Sequence, residues 1–178
     1  MKAKKFLHDG KGQSIVEIAL ITPLILAALY VVIDFGIAIF TAHYTQNAAR
    51  EGTRIGAVLR DCSTVASGKC VQSTSGGCPV PAPVAGTPDD KQVIREVCNR
   101  KPALLSGATV TVTLSGAMGD ACRRMVTVSV AGGYNYGWYN FLALIGKPLT
   151  GGAKTLSITR AATARYELQP VTNYTTSC

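Results

Sequence analysis

A long apolar segment near the N-terminus constrains this chain more than any other feature. No residue between Ile18 and Ile33 is charged, and only Thr22 and Tyr30 are polar there. Extended to Phe40, with Asp34 as its one charged residue, the segment has about 23 residues, or roughly 34 Å of helix. Because a bilayer core is roughly 30 Å thick, we expect a transmembrane helix.

A basic leader precedes this span. Residues 1–12 hold four lysines and one aspartate, so they account for much of the excess of 18 Lys and Arg over 10 Asp and Glu. Positive charge is retained on the cytoplasmic side, which places the rest of the chain across the inner membrane, in the periplasm of a Gram-negative cell. A cleaved secretory signal is disfavoured because the apolar stretch is too long, and Phe40-Thr41-Ala42 lacks the small residue that such cleavage needs.

The helical pattern continues past the membrane, so that one helix is predicted from Ile15 to about Leu59. Residues 41–60 contain no proline and become amphipathic. Within them, small residues recur every fourth position and share one face that permits close approach: Ala48, Gly52 and Gly56. Docking of this half-helix on its own domain is the favoured interpretation, and packing against another helix is the alternative.

Six cysteines all follow the span: Cys62, Cys70, Cys78, Cys98, Cys122 and Cys178. Disulfides persist in the oxidising periplasm, and an even number allows up to three of them in 15 connectivities. The spacing of the first three is not that of a zinc site, so no metal or other cofactor is expected. Residues 61–88 are rich in Ser, Gly and Pro and predict a loop held by cysteines.

The remainder is β-rich, and the predicted fold class is α+β: a long N-terminal helix packed on a small antiparallel sheet. Alternating side chains predict three strands with one buried face, at residues 109–114, 126–130 and 156–168. A short helix is expected to about Arg100, with Thr87 as its N-cap, Pro88 at its first position and acidic residues in its first turn. Its expected apolar stripe consists of Val93, Ile94, Val97 and Cys98.

Five aromatic residues lie between the second and third strands: Tyr134, Tyr136, Trp138, Tyr139 and Phe141. They predict either a segment that caps the core or a contact patch for another subunit or the membrane surface.

Glu17 is the most unusual residue of the opening stretch. A carboxylate at the edge of a bilayer costs about 2–3 kcal/mol unless it is paired, although a helix N-terminus favours negative charge. Cleavage after Gly12 would create an α-amino group at Gln13, a cation that Glu17 could pair with on the same or a neighbouring subunit. We hypothesise that this ion pair sets the register between packed helices.

The basic leader, Gly12 and Glu17 resemble the class III signal of type IV pilin-like proteins. In that family a prepilin peptidase cuts after the glycine, and the glutamate is the fifth residue of the mature chain. More specifically, GQSIVEIALITPLILAALYVVIDFG and QNAAREGTRIGAV resemble the TadE family of Tad (Flp, tight-adherence) pilus systems. The corresponding residues are Gly12, Gln13, Glu17, Ala19, Pro23, Asp34, Gly36 and the block Ala48-Ala49-Arg50-Glu51-Gly52. Residues 160–167 also resemble the closing strand of the family, whereas the Cys-rich loop is not part of its motif.

The resemblance implies a minor pilin or pseudopilin that assembles or primes a Tad pilus. Its partners would be the prepilin peptidase, other pilins or pseudopilins and the pilus assembly platform, and it would stay in the inner membrane or enter the fibre. The implied organisation is a cleaved leader (1–12), a transmembrane helix (13–40), its periplasmic continuation (41–60) and a Cys-containing α+β domain (61–178). Pro23 would loosen or kink the helix near Ala19. Asp34 would reach the headgroups from the outer end of the span.

Other functions are weighed against this one. A pseudopilin of a type II secretion-like system would share the Gly12–Glu17 signal, but the AAREG block favours the Tad system. A plain anchor that displays a periplasmic binding or adhesion domain would keep its N-terminus. No enzyme is expected, because His8 and His43 are the only histidines and no nucleophile elbow or phosphate loop occurs. Nucleic-acid binding is not expected either, because the basic residues outside the leader are scattered.

Overall fold

The computed structural model describes residues 10–115, 124–138 and 154–167, with side chains from Ser14 onward. These residues fall into two compact units. One unit contains residues 10–37 with 137–138, and the other contains residues 38–115, 124–136 and 154–167.

The first helix, α1, runs from Gly10 to Val58 without interruption and contributes residues to both units. Proline has no N–H, so Pro23 leaves the Ala19 carbonyl without its usual helical donor, but the helix continues through this point. One residue earlier, the Thr22 hydroxyl donates a 2.6 Å hydrogen bond to the Ile18 carbonyl. The predicted helix is confirmed, and it ends within one residue of the expected position.

Within residues 59–115, 124–136 and 154–167, six strands and the helix α2 (Gln92–Arg100) follow α1. The strands are β1 (Gly68–Lys69), β2 (Thr74–Gly77), β3 (Pro88–Asp89), β4 (Leu105–Ser115), β5 (Met125–Asn135) and β6 (Thr155–Arg165). Four of them form an antiparallel sheet in the order β2-β4-β5-β6, and β1 pairs with β3 in parallel. The α+β fold class is therefore confirmed.

Alternation of side chains decides which face of the sheet is buried. Val112 of β4 lies opposite Val128 of β5, which lies opposite Ala162 of β6. Both valines are at most 2 % exposed, whereas the threonines that alternate with them, such as Thr111 and Thr113, face outward. The period of two that predicted these strands thus places one apolar face toward the helices.

The expectation that residues 61–88 form only a loop is wrong at β2. The sequence of this strand, TSGG, has no apolar alternation that would have revealed it. Instead it is held by pairing with β4, from Thr74 opposite Val112 to Gly77 opposite Thr109. Tertiary pairing, and not the strand's own side chains, therefore makes this segment extended.

The expected start of the second helix at Thr87 is also wrong. The Thr87 hydroxyl donates to the Val84 carbonyl at 2.9 Å and caps no helix. Pro88 and Asp89 are drawn into the short parallel pair as β3, so α2 begins only at Gln92. The predicted apolar stripe of this helix is buried nevertheless, as Val93, Ile94 and Val97.

Asp89 and Arg95 join the start of α2 to the segment before it. The guanidinium donates from Nη1 to Oδ2 at 2.7 Å and from Nη2 to Oδ1 at 3.2 Å. This two-point hydrogen bond to Asp89 raises the pKa of Arg95. The carboxylate that was expected to stabilise a first helical turn is thus used to fix the entry to α2.

Two disulfides reinforce the region between α1 and β4. Cys62 bonds to Cys70 just after α1, and Cys78 bonds to Cys98, which joins the segment after β2 to α2. The expectation of disulfides is confirmed for these four residues. Cys122 and Cys178 lie outside the described residues.

Small side chains of α1 form a stripe that packs on the sheet and on α2. This small-residue stripe consists of Thr41, Ala42, Thr45, Ala48, Ala49, Gly52, Thr53, Gly56 and Ala57, all buried. A β-carbon at Gly52 would lie 2.5 Å from Val97 Cγ2 and 3.2 Å from Val128 Cγ1, and one at Gly56 would lie 2.9 Å from Val126 Cγ1. The half-helix therefore docks on its own domain, at a distance that only glycine permits.

The aromatic segment divides between the two units. Tyr134 is 4 % exposed at the end of β5, and its ring meets that of Tyr136 edge-on, with centroids 5.6 Å apart. These two residues belong to the core of the second unit, whereas Trp138 belongs to the first. Tyr139 and Phe141 lie outside the described residues.

Replacing Gly52 with Ala should destabilise the second unit by about 1 kcal/mol. Alanine favours a helix over glycine by about 1 kcal/mol, but inserting a methyl group against buried Val97 costs typically about 1–3 kcal/mol. Thermal unfolding of the full-length protein in detergent measures the change. Gly36→Ala is the matched control, since nothing lies within 4 Å of a β-carbon at that position. Equal stability of the two variants would contradict the tight contact at Gly52.

Candidate functional site

The predicted processing bond lies at the N-terminal end of α1. Gly12 and Gln13 lie in the first described turn of α1, which runs from Gly10.

Glu17 presents its carboxylate on an otherwise apolar surface. Its side chain is exposed, and its neighbours Ile15, Val16 and Ile18 are 68 %, 65 % and 64 % exposed. Gln13 lies four residues earlier, so the two positions share a helix face at about 6 Å between their β-carbons. An α-amino group at Gln13, on this chain or on a neighbouring one, could thus reach the carboxylate.

The apolar part of α1 exposes large side chains on every side. Leu20, Leu24 and Val32 are 74 %, 72 % and 69 % exposed. A helix that is apolar all round belongs in lipid or in a protein core. By length and composition, α1 is the one helix among the described residues that could cross a membrane, and it fits a single-pass anchor.

Pro23 and Gly36 lie on this exposed surface. Both are accessible, and a β-carbon at Gly36 would meet nothing within 4 Å. Neither residue packs an element of the chain closely within the part that the structure describes. Gly36 leaves a shallow gap where another helix could approach.

Asp34 does not extend outward as an exposed side chain, as its expected contact with headgroups would require. It is only 5 % exposed, and its Oδ2 accepts a 3.2 Å hydrogen bond from the Trp138 N–H. The reason is the return of the chain to α1 at Gly137 and Trp138. This contact spans 104 residues and could not be read from the local sequence.

The AAREG block has two faces. Ala48, Ala49 and Gly52 belong to the small-residue stripe and are buried. Glu51 instead faces outward and binds Arg54, whose Nη2 lies 2.7 Å from Oε1. Exposed ion pairs contribute little to stability, so the block stabilises the domain mainly through its small residues.

A buried ion pair, which sequence reasoning missed, lies where α1 ends. Arg124 Nη2 donates to Asp61 Oδ2 at 2.6 Å, and the two side chains are 8 % and 11 % exposed. The guanidinium lies 5.3 Å from the centre of the Tyr166 ring, and the Tyr166 hydroxyl donates to the Leu59 carbonyl at 2.8 Å. That hydroxyl satisfies a carbonyl that the end of a helix leaves without a partner.

The Asp61 carboxylate is the centre of this cluster. Burial disfavours its ionised form, but hydrogen bonds from the Ser63 N–H, from Arg124 and from the Ser63 hydroxyl outweigh that effect and lower the pKa of Asp61. Burial, followed by the negative charge of Asp61, raises the pKa of Tyr166. The signals in the sequence were Asp61, three residues after the end of α1, and Tyr166, one residue after β6.

The described residues contain no candidate metal centre. Among them, no group of three or more His, Cys, Asp or Glu side chains could hold a metal ion. What the structure brings together is a lipid-compatible helix surface with one exposed carboxylate near its start, followed by a docked domain.

Comparison with known proteins bears on this helix. Residues 12–54 match the family of TadE-like proteins. The match includes Gly12, Glu17 and the AAREG block, lies wholly within α1 and covers about a quarter of the chain. The TadE resemblance seen in the sequence is thereby confirmed over these residues. No curated protein and no solved structure gives a significant match to the chain.

Acidification should destabilise the second unit through Asp61. Because its pKa is lower in the folded than in the unfolded chain, where it is about 3.9, the ionised carboxylate contributes stability above that pH. This contribution is lost as the pH falls below about 4 toward the folded-state pKa. Denaturant unfolding of the full chain in detergent, at several pH values from about 7 to 3, measures the loss.

Asp61→Asn should unfold more easily at neutral pH, by up to about 3–5 kcal/mol, because it leaves the buried Arg124 without a counter-ion. It should also lose less stability on acidification than the wild type. Asp90→Asn is the control, since Asp90 is a carboxylate of the same unit that is not fully buried. An acid-induced loss of the same size in Asp61→Asn and the wild type would assign the effect to other groups.

Proposed function

We propose that this protein is a minor pilin or pseudopilin that assembles or primes a Tad-type pilus. The match to TadE-like proteins suggests a protein associated with such a pilus. The observation that carries the finer role is the placement of the match: it begins at Gly12, includes Glu17 and ends four residues before the end of α1. The matched region is thus the part of a pilin that is processed, inserted and packed.

In this proposal a prepilin peptidase removes residues 1–12 at the cytoplasmic face of the inner membrane. The new α-amino group of Gln13 is a cation that pairs with the Glu17 carboxylate of a neighbouring subunit. Such a pair costs less in a low-dielectric environment than either charge alone, so it favours one vertical register between two helices. Processing would therefore create the group that assembly requires.

The surface of α1 suits both a bilayer and a fibre. Its exposed apolar side chains, such as Leu20 and Leu24, can be covered by lipid or by the helices of other pilins. Gly36 provides a place for close approach, and Pro23 weakens the hydrogen bonding of the helix near Ala19. The disulfide-bonded domain after the helix would lie in the periplasm, where these bonds form.

Two alternative functions make different demands on the chain. A pseudopilin of a type II secretion-like system would use the same processing and the same Glu17 contact but other partners. A plain anchor with a periplasmic binding or adhesion domain would need neither cleavage nor a carboxylate at position 17. The match to TadE-like proteins favours the Tad assignment over both.

Processing is tested by the intact mass of the protein extracted from membranes that contain its prepilin peptidase. The wild type should begin at Gln13. Gly12→Leu should keep residues 1–12, because a bulky side chain replaces glycine at the predicted bond. Gly10→Leu is the matched control: it changes the other glycine of the first turn and should still be cleaved. A wild-type protein that retains residues 1–12 would support the plain anchor instead.

The Glu17 contact is tested separately from cleavage. Glu17→Gln should still be processed, but its recovery with other pilins, or in sheared fibres, should fall roughly 10- to 100-fold, as expected for losing a charged hydrogen bond of about 1.5–3 kcal/mol. Glu17→Asp keeps the charge and should retain a substantial part of the recovery. Glu51→Gln, on the same helix but in the docked half, is the control. Unchanged recovery of Glu17→Gln would contradict the proposed role of Glu17 in setting the register between neighbouring helices.

A further inference from the structure

Asp34 and Trp138 form a contact within the first unit that the proposed pilin role does not use. Asp34 lies six positions before Phe40, the outer end of the apolar run, which corresponds to about 9 Å along the helix. The Trp138 backbone N–H donates a hydrogen bond to the Asp34 carboxylate at 3.2 Å. Asp34 as a whole is only 5 % exposed to solvent. We call Tyr30, Asp34, Gly137 and Trp138 the outer latch.

The chemistry of the outer latch is that of a low-dielectric environment. In water, a backbone N–H and a carboxylate would each be hydrated and would gain little by meeting. In lipid, an unsatisfied N–H costs several kcal/mol, and a carboxylate within a span costs about 2.5–3.5 kcal/mol. A hydrogen bond between the two lowers both penalties at once, which favours this arrangement where the chain meets hydrocarbon.

Gly137 allows the chain to approach α1 closely. A β-carbon at this position would lie 2.7 Å from the Tyr30 hydroxyl and 3.8 Å from Asp34 Oδ1. At Gly137 the backbone therefore lies against the polar groups of Tyr30 and Asp34. This leaves the neighbouring Trp138 as the first large side chain after the contact.

We propose that Trp138, held on α1 by Asp34, docks on the lipid bilayer at its outer boundary, so that the chain meets the membrane at a second point besides its span. The latch is continuous with the exposed apolar surface of α1, where Val31 and Ile33 are 50 % and 58 % exposed. Tryptophan is enriched at this level of membranes because its ring is apolar and its N–H is polar. The inference rests on the membrane span of the proposed function and names lipid as the partner of Trp138.

The contact can be observed directly, because Trp138 is the only tryptophan in the chain. The full-length protein is reconstituted into phosphatidylcholine vesicles, and tryptophan is excited at a wavelength where tyrosine does not absorb. Phosphatidylcholine brominated near the ester end of its acyl chains should quench the emission strongly. Aqueous iodide should quench it several-fold less than it quenches a free tryptophan analogue.

Variants at Asp34 separate docking from a passive location. Asp34→Ala removes the acceptor, so quenching by brominated lipid should fall and quenching by iodide should rise several-fold. Asp34→Asn keeps a side-chain oxygen that can accept the Trp138 N–H and should resemble the wild type. Ile33→Ala is the matched control on the same turn and should change neither value.

Each other outcome overturns the proposal in a distinguishable way. Protein that floats with the vesicles but has an iodide-accessible Trp138 is anchored yet not docked, which leaves the proposed function intact. Emission quenched by neither agent places Trp138 in a protein contact instead of lipid. Equal quenching of Trp138 in the wild type and in Asp34→Ala would show that Asp34 does not hold Trp138 at the bilayer. Protein that does not float with the vesicles contradicts the membrane span and the proposed function together.

Discussion

The folded domain depends on how closely α1 approaches its neighbours at Gly52. Val97 of α2 and Val128 of β5 converge on this one position, so a single missing side chain sets the spacing of three elements. One turn later Gly56 repeats the arrangement with Val126, and also with Val71 and Val93. Since β-branched valines have little rotamer freedom, they cannot easily yield to a larger residue. The sheet and α2 therefore have one defined position against the helix.

The same helix meets opposite demands along its length. In the first unit it carries large apolar side chains that point outward, such as Leu20 and Leu24. In the second unit its inward face carries small residues, and its outward face carries polar ones such as Asn47, Arg50 and Arg54. The change fits a helix that passes from lipid to water within one continuous element.

Sequence patterns predicted the features that arise from local periodicity. The extent of α1, the strands at β4, β5 and β6, and the buried stripe of α2 all follow from spacing of apolar residues. β2 was missed because its sequence, TSGG, is extended only through pairing with β4. The start of α2 was misplaced because Asp89 binds Arg95 and Pro88 joins a strand. Local preference was overridden by tertiary contacts in both cases.

The residues of the candidate site also differ in whether the local sequence could predict them. Gly12 and Glu17 could be predicted as site residues because the prediction depends only on the short spacing between them and on the family resemblance. The pairs Asp61–Arg124 and Asp34–Trp138 are separated by 63 and 104 residues, so nothing in either neighbourhood identifies the partner. Such long-range polar contacts become visible only when the fold places the residues together.

The way in which the end of α1 is fastened determines how the domain would respond to mechanical force. Gln46 Nε2 donates to the Ala161 carbonyl of β6 at 3.0 Å, and the Glu167 N–H donates to the Ala57 carbonyl at 3.0 Å. With the hydrogen bond from Tyr166 to Leu59, just past the end of α1, these contacts lie at separate points along about three and a half turns. A force along the helix axis would act in shear on the tight contacts at Gly52 and Gly56 and on these hydrogen bonds at the same time. The hydrogen bonds would therefore not break one after another. When the docked half of α1 is pulled, the rest of the second unit would thus move with it without separating from the helix.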